Sequence, residues 1–289
     1  MARPSKTAPP TTGGLPSPEA IVEREAGQRR VAIYSAVGVA IATALAVIVE
    51  NVINASVPDQ TTSTLIDTFG AAARGASLPA SYFTAVGEWK LDNVLWTAAS
   101  SLLRALAFLL MIPPALFIMR GARERGGSLF KQLEYLLIAG AIIMAAGPLA
   151  IAIGEPSIYH AARDAGFTPG DIRQAVLDSN LILLRVPILL GSLLIGIPLA
   201  FGSMQAYRAG LLPPILGFMG VLVGILFVVP LDASGLLRAF WFSAVAFVIS
   251  GRASGGYAEA WATGIPVPPA PRQPPAPREK KAKKEKAVK

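Results

Sequence analysis

Apolar residues gather in six long runs, near Val31–Ile53, Val94–Met119, Leu133–Gly154, Leu181–Met204, Leu211–Leu231 and Gly235–Gly251, and charged residues fall mostly between them. Most runs reach the ~20 apolar residues that a helix needs to cross ~30 Å of hydrocarbon. The pattern predicts an all-α, polytopic membrane protein, a six-helix transmembrane bundle over 31–252 with outer loops at 54–92 and 155–180. Before it, residues 1–30 read as a disordered and then interfacial N-terminal segment, rich in Pro, Thr, Ser and Gly up to residue 18, with a short charged helix at Glu19–Arg30. After it, 253–289 reads as a disordered cytoplasmic tail, first Pro-rich and then Lys-rich. Within loop 54–92, Leu65, Ile66, Phe69 and Ala73 have helical spacing, and Tyr82, Phe83 and Trp89 suit an interfacial layer. Loop 155–180 predicts a helix over 169–179, with Thr168 as N-cap and Pro169 at its first position.

The charges orient the bundle. Lys and Arg collect in loops that stay in the cytoplasm. Arg24, Arg29 and Arg30 precede the first run, Arg120, Arg123, Arg125 and Lys131 separate the second and third, and Arg208 and Arg252 follow the fourth and sixth. The opposite loops mix Arg74, Lys90, Arg163 and Arg173 with a larger number of carboxylates. Six crossings with both termini in the cytoplasm of a bacterial plasma membrane satisfy every loop. The first run is longer than the 7–15 residue core of a secretory signal, so it reads as an uncleaved anchor; cleavage near Asn54-Ala55-Ser56 would leave five crossings.

Composition adds two restrictions. The chain is 53% hydrophobic with a mean hydropathy of +0.53, far from an ordinary soluble domain, and beyond the six runs only two tails and two loops remain, which predicts one membrane domain and no folded soluble one. It has no cysteine, which removes disulfides, thiolate metal sites and cysteine nucleophiles. The formal charge of +8 is concentrated in the tail, where eight Lys and Arg stand against Glu279 and Glu285. Such a tail suits an anionic lipid surface, a nucleic acid, an acidic protein, or simple solvation.

Arg104 and Arg185 are the residues best placed for chemistry, because both interrupt apolar sequence, in Leu102-Leu103-Arg104-Ala105 and Leu183-Leu184-Arg185-Val186. A charge at bilayer depth costs roughly 2.5–3.5 kcal/mol on insertion scales, so it faces the protein interior or water. In the predicted topology both lie in the outer half, where Glu50, Asn51, Glu155 and Asp232 also end spans. Arg104, Arg185, Glu50, Asn51 and Asp232 therefore form a candidate ligand-binding cluster, suited to a lipid phosphate or a carboxylate. The same residues suit ion pairs that fix helix register. Glu134 and Lys131 read as a helix-end pair. The single histidine, His160, reads as a surface loop residue, and no metal, nucleotide or nucleophile-elbow motif occurs, so no cofactor is expected and the chain reads as non-enzymatic. Prolines at 113, 114, 148, 187 and 198 kink several spans. Gly217, Gly220 and Gly224 prepare a close helix contact, inside the bundle or in a homo-oligomer.

The end of the sixth run, Ser250-Gly251-Arg252 with Gly255, Gly256, Trp261 and Gly264 beyond it, resembles the C-terminal signature of a group of actinobacterial multipass membrane proteins. Tyr207-Arg208-Ala209-Gly210-Leu211-Leu212-Pro213 and the glycine-rich span after it resemble the same group, and more distantly the DUF4386-type membrane proteins. Ala253-Ser254 departs from the Trp-Pro expected at that point. The resemblance covers about the last third of the chain; it implies a helical fold of about six spans and carries no activity. The leading functional reading is an integral membrane protein that binds a lipid or a membrane-protein partner through the outer-half cluster. The alternative is a transporter or channel for small anions, with kinked spans two and four along the path.

Overall fold

A computed structural model describes residues 17–57, 73–74, 82–165, 169–179, 183, 185–229, 231–232, 234–252 and 259–267. These residues are mostly helical, with no strand among them. The helices are α1 (Pro18–Ser56), α2 (Tyr82–Asp92), α3 (Val94–Leu110), α4 (Ile112–Glu124), α5 (Gln132–Ala165), α6 (Pro169–Asp178), α7 (Arg185–Arg208), α8 (Pro214–Val228), α9 (Leu236–Ile249) and α10 (Glu259–Thr263). α1, α3 with α4 taken together, α5 and α7 are long and apolar enough to cross a membrane. The chain is thus a helical protein built for a membrane. α8 and α9, with 15 and 14 residues, are shorter apolar helices of ~22 and ~21 Å.

α1 illustrates how the sequence matches that solvent. Ala32, Ala36, Val39, Ala42 and Ala46 are buried, whereas Val31, Tyr34, Ile41, Leu45, Ile48 and Val52 point outward. Small residues inside and large apolar residues outside invert the pattern of a helix in water. They fit one in lipid, where close packing rather than apolar burial draws helices together.

The helices close into a ring in chain order. α1 packs on α3 and α4, α3 on α5, α5 on α7, α7 on α8, α8 on α9, and α9 returns to α1. The break between α3 and α4 at Met111 follows from Pro113 and Pro114, which remove two consecutive donors. α5 and α7 instead run through Pro148, Pro156 and Pro198 without ending. The glycine stripe of α8 is used within the ring: a Cβ on Gly224 would lie 2.6 Å from the Gly196 carbonyl oxygen of α7, and one on Gly220 would strike Ser203 and Trp241. Trp241 fills the space beside this seam, and its indole N–H donates to the Leu216 carbonyl at 2.8 Å.

The start of α1, the end of α4 and α10 share one end of the ring, termed here the tail end; α1 finishes at the far end. The sequence reading placed 253–289 in a disordered tail, and 259–267 depart from it. Gly251 (φ 75°) terminates α9 in the left-handed conformation, and α10 then tucks under the ring. Trp261 is fully buried there, stacked on Phe117 with ring centres 4.9 Å apart and donating to the Leu211 carbonyl at 2.9 Å. Gly264 (φ 71°) passes so close to the Pro18 carbonyl that a Cβ would lie 2.5 Å from it. The Val267 amide donates to the Ala209 carbonyl at 3.2 Å. Gly251, Trp261 and Gly264 therefore share one task, turning the chain and docking it under the bundle. The expected N-terminal interfacial helix is likewise continuous with the first span, as one helix from Pro18 to Ser56. A helix does occupy Pro169–Asp178, while its expected cap Thr168 and the stripe Leu65, Ile66 and Phe69 lie outside the described residues.

Candidate functional site

At the far end the short hairpin of α8 and α9 leaves a recess. Its tip lies beside the middle of its neighbours, since a Cβ on Gly235 would lie 3.2 Å from Thr43 of α1. Thirteen residues of α1 follow Thr43, so α1 projects ~20 Å beyond the tip. Asp232 and Arg238 flank this turn. The Arg238 amide donates to Asp232 Oδ2 at 3.3 Å, and its guanidinium lies 3.4 Å from the same carboxylate. That guanidinium also sits over the rings of Phe227 and Phe108, 4.8 and 5.4 Å from their centres. Across the recess Arg104 of α3 is ion-paired with Glu50 of α1.

Arg104, Arg238, Thr43, Phe108, Phe227 and Ser234 line one pocket of about 40 Å³, whose inner wall is completed by the buried Met111 and Phe242. Of the five expected cluster residues Arg104 lines this pocket, and two more are joined to its lining only through ion pairs, Glu50 with Arg104 and Asp232 with Arg238. The other two stand apart. Asn51 is exposed and donates to the Val47 carbonyl of its own helix at 2.9 Å. Arg185 is the first residue of α7 and is exposed. Arg238 takes the place intended for Arg185. Arg238 is absent from the expected cluster, although Leu236-Leu237-Arg238 repeats the Leu-Leu-Arg triplet of Arg104 and Arg185.

A second locus at the same end joins α2 to α5, where Lys90 donates to Glu155 at 2.8 Å and lies 6.0 Å from the ring centre of Tyr159. His160 is exposed, and no metal-binding group of His and carboxylates occurs among the described residues.

The tail end carries denser pairing. Arg125, with its side chain wholly buried, donates to both oxygens of Glu25, to the Gly121 carbonyl at 3.1 Å and to the Ala260 carbonyl at 2.8 and 3.0 Å. Its guanidinium lies 5.2 Å from the ring centre of Trp261. α1, α4 and α10 therefore meet in one fully satisfied group. Glu134 was expected to pair with Lys131; it instead accepts from Arg120 at 2.8 Å and from Arg123. The reason is direction: in α5 the Glu134 side chain is buried toward α4, while Lys131 lies before the helix and is exposed.

No family model, curated protein or solved structure matches the chain. The site is therefore read from its own geometry.

Proposed function

We propose that the chain is a six-crossing protein of a bacterial plasma membrane with both termini in the cytoplasm, non-enzymatic, and that its far-end recess holds the polar group of a lipid. The likeness of its C-terminal third to the actinobacterial multipass group belongs to the same proposal. One observation carries it: two arginines, Arg104 and Arg238, each paired with its own carboxylate, line a single recess at one end of the ring. Charges so placed are retained where they face protein or water rather than lipid. Because two cations are set against two anions, the recess fits a group with both signs better than a bare anion. A phospholipid headgroup bearing a phosphate and an amine is such a group, its phosphate meeting the guanidinium forks and its ammonium the carboxylates. Guanidinium groups stay charged across all ordinary pH, which suits holding and orienting rather than proton transfer.

α8 and α9 complete the count of crossings as a pair too short to cross alone, served by a locally thinned bilayer. Orientation rests on the cations of the tail end, by the positive-inside rule. It is checked by single cysteines, unobscured because the chain has none of its own. In intact cells a membrane-impermeant maleimide is expected to label Ser157→Cys and not Thr263→Cys, both positions being exposed and at opposite ends. Labelling of both or the reverse pattern defeats this topology. For the recess, native mass spectrometry of the purified protein is expected to show a retained zwitterionic phospholipid. The Arg104→Gln/Glu50→Gln/Arg238→Gln/Asp232→Asn variant, which removes both pairs without stranding a charge, is expected to lose it. Equal retention assigns the pairs to helix register alone.

A further inference from the structure

The charge at the tail end is unbalanced where the far-end recess is balanced, and it opens onto a cleft of different character. Between α1 and α4, a basic cavity of about 290 Å³ is lined by Arg24, Arg120, Arg123 and Lys131, with Glu25, Glu124 and Glu134 among them. Glu25 is spent on Arg125, whose side chain is fully buried. Four cations therefore face two remaining carboxylates. Glu134 is nearly buried and holds Arg120 and Arg123 together, which sets two guanidinium groups side by side with N–H groups left over on each. Lys131 makes no ion pair among the described residues and is exposed. Phe117, Arg120 and Gln28 also line a second cavity of about 290 Å³, whose apolar walls are Val31, Ile112, Pro113 and Leu116. Gly27 borders it, and a Cβ there would meet nothing within 4 Å. The break in the helix at Met111 and the pair of prolines beside it open this apolar cleft, which runs away from the cations toward the middle of the bundle.

A cavity that is basic at the membrane edge and apolar inward has the polarity of a phospholipid. From this complementarity we infer that the α1–α4 seam binds an anionic phospholipid of the tail-side leaflet, its phosphate held by Arg120, Arg123 and Lys131 and one acyl chain laid along Val31, Ile112 and Leu116. Paired guanidinium forks suit phosphate oxygens, and the lysine adds an unpaired charge. The chain itself offers no rival occupant: residues 1–16 carry Arg3 and Lys6 with no acid, and 268–289 carry the eight cations of the tail against two glutamates. Like charge sets both segments against a basic cavity. The site is separate from the far-end recess and shares no residue with it.

The test is native mass spectrometry of the full chain, delipidated and then offered phosphatidylglycerol, phosphatidylcholine or inorganic phosphate at equal concentration. Phosphatidylglycerol is expected to bind best. Lys131→Gln, which breaks no ion pair, is expected to weaken it about fivefold, the worth of one lysine near an anionic headgroup. Gly27→Leu alters no charge and favours the helix, and filling the cleft is expected to reduce phosphatidylglycerol binding by a similar factor while sparing inorganic phosphate. Thermal melting of each variant near wild type shows that loss of lipid is not loss of fold. Equal binding of phosphatidylcholine, or binding unmoved by both variants, overturns the inference. Inorganic phosphate bound as tightly as phosphatidylglycerol and insensitive to Gly27→Leu would make the cavity a soluble-phosphate site instead.

Discussion

Arg125→Leu is expected to destabilise the detergent-solubilised protein by about 3–5 kcal/mol, the usual consequence of leaving one member of a buried ion pair without the other. Its side chain is wholly buried and that of Glu25 is 5% exposed, so water cannot take over the lost contact. The loss also frees the Ala260 and Gly121 carbonyls that Arg125 satisfies, and removes the cation beside Trp261. Glu25→Leu is expected to be nearly as damaging, since it strands a guanidinium that still has its two carbonyl partners. The double variant Glu25→Leu/Arg125→Leu should recover part of the loss, because two apolar chains of similar bulk carry no desolvated charge. Chemical denaturation followed by tryptophan fluorescence, run as a double-mutant cycle, supplies the coupling energy. Single effects below about 1 kcal/mol that simply add would mean that the pair is solvated and does not hold the tail end together.

Gly196→Leu is expected to disrupt the bundle at its tightest seam. A Cβ on Gly196 would lie 2.5 Å from the Gly224 carbonyl oxygen, and the reciprocal distance from Gly224 is 2.6 Å. The obstacle in each case is backbone, which cannot rotate away, so α7 and α8 must separate along their length. Overpacking of a well-filled interior typically costs 1–3 kcal/mol even where side chains can adjust, and here the loss should exceed that range. Gly38→Leu is the matched control. Its nearest obstacle is the Leu110 Cδ1 at 2.9 Å, the far end of a flexible side chain. Melting and size-exclusion profiles of the two variants in the same detergent should therefore diverge sharply; similar behaviour would show that the α7–α8 contact yields easily.

Much of the fold is legible in the sequence because a bilayer dictates both the length and the composition of what crosses it. α1, α3 with α4, α5 and α7 all lie where apolar runs predict them. The last two helices are shorter than their runs for a physical reason. Leu211 and Leu212 are apolar and buried without being helical, because Pro213 and Pro214 start α8 late; Val229 and Leu231, past the end of α8, are apolar and exposed and likewise not helical. A segment surrounded by protein needs the same residue types as one surrounded by lipid, and hydropathy does not separate them. Charge pairing was legible only where depth could be counted. Glu50 and Arg104 fall at similar distances from one membrane face, which places them together. Glu25 and Arg125 each lie among other charges at a span end, and 100 residues separate them, so nothing local marks them as partners. Trp261 stood within a Pro- and Gly-rich segment and gave no periodic signal; its burial comes from tertiary docking alone.

The short α8–α9 flank also sets how the molecule disturbs its surroundings. α1 and α5 are 39 and 34 residues long, and the helices of the hairpin, 15 and 14 residues, are about two fifths of that. In the proposed six-crossing arrangement, lipid beside the hairpin, which presents Phe218, Leu222, Phe240 and Phe247 outward, would have to shorten to meet it, while lipid beside α1 would not. Hydrophobic mismatch of this kind costs fractions of a kcal/mol per Å, and here it falls on one side of the protein only. The strained annulus is thus a one-sided collar, and two copies reduce its total extent by turning their thin flanks toward each other. They would then attract through the elasticity of the bilayer alone, more strongly as acyl chains lengthen, with no complementary protein surface required.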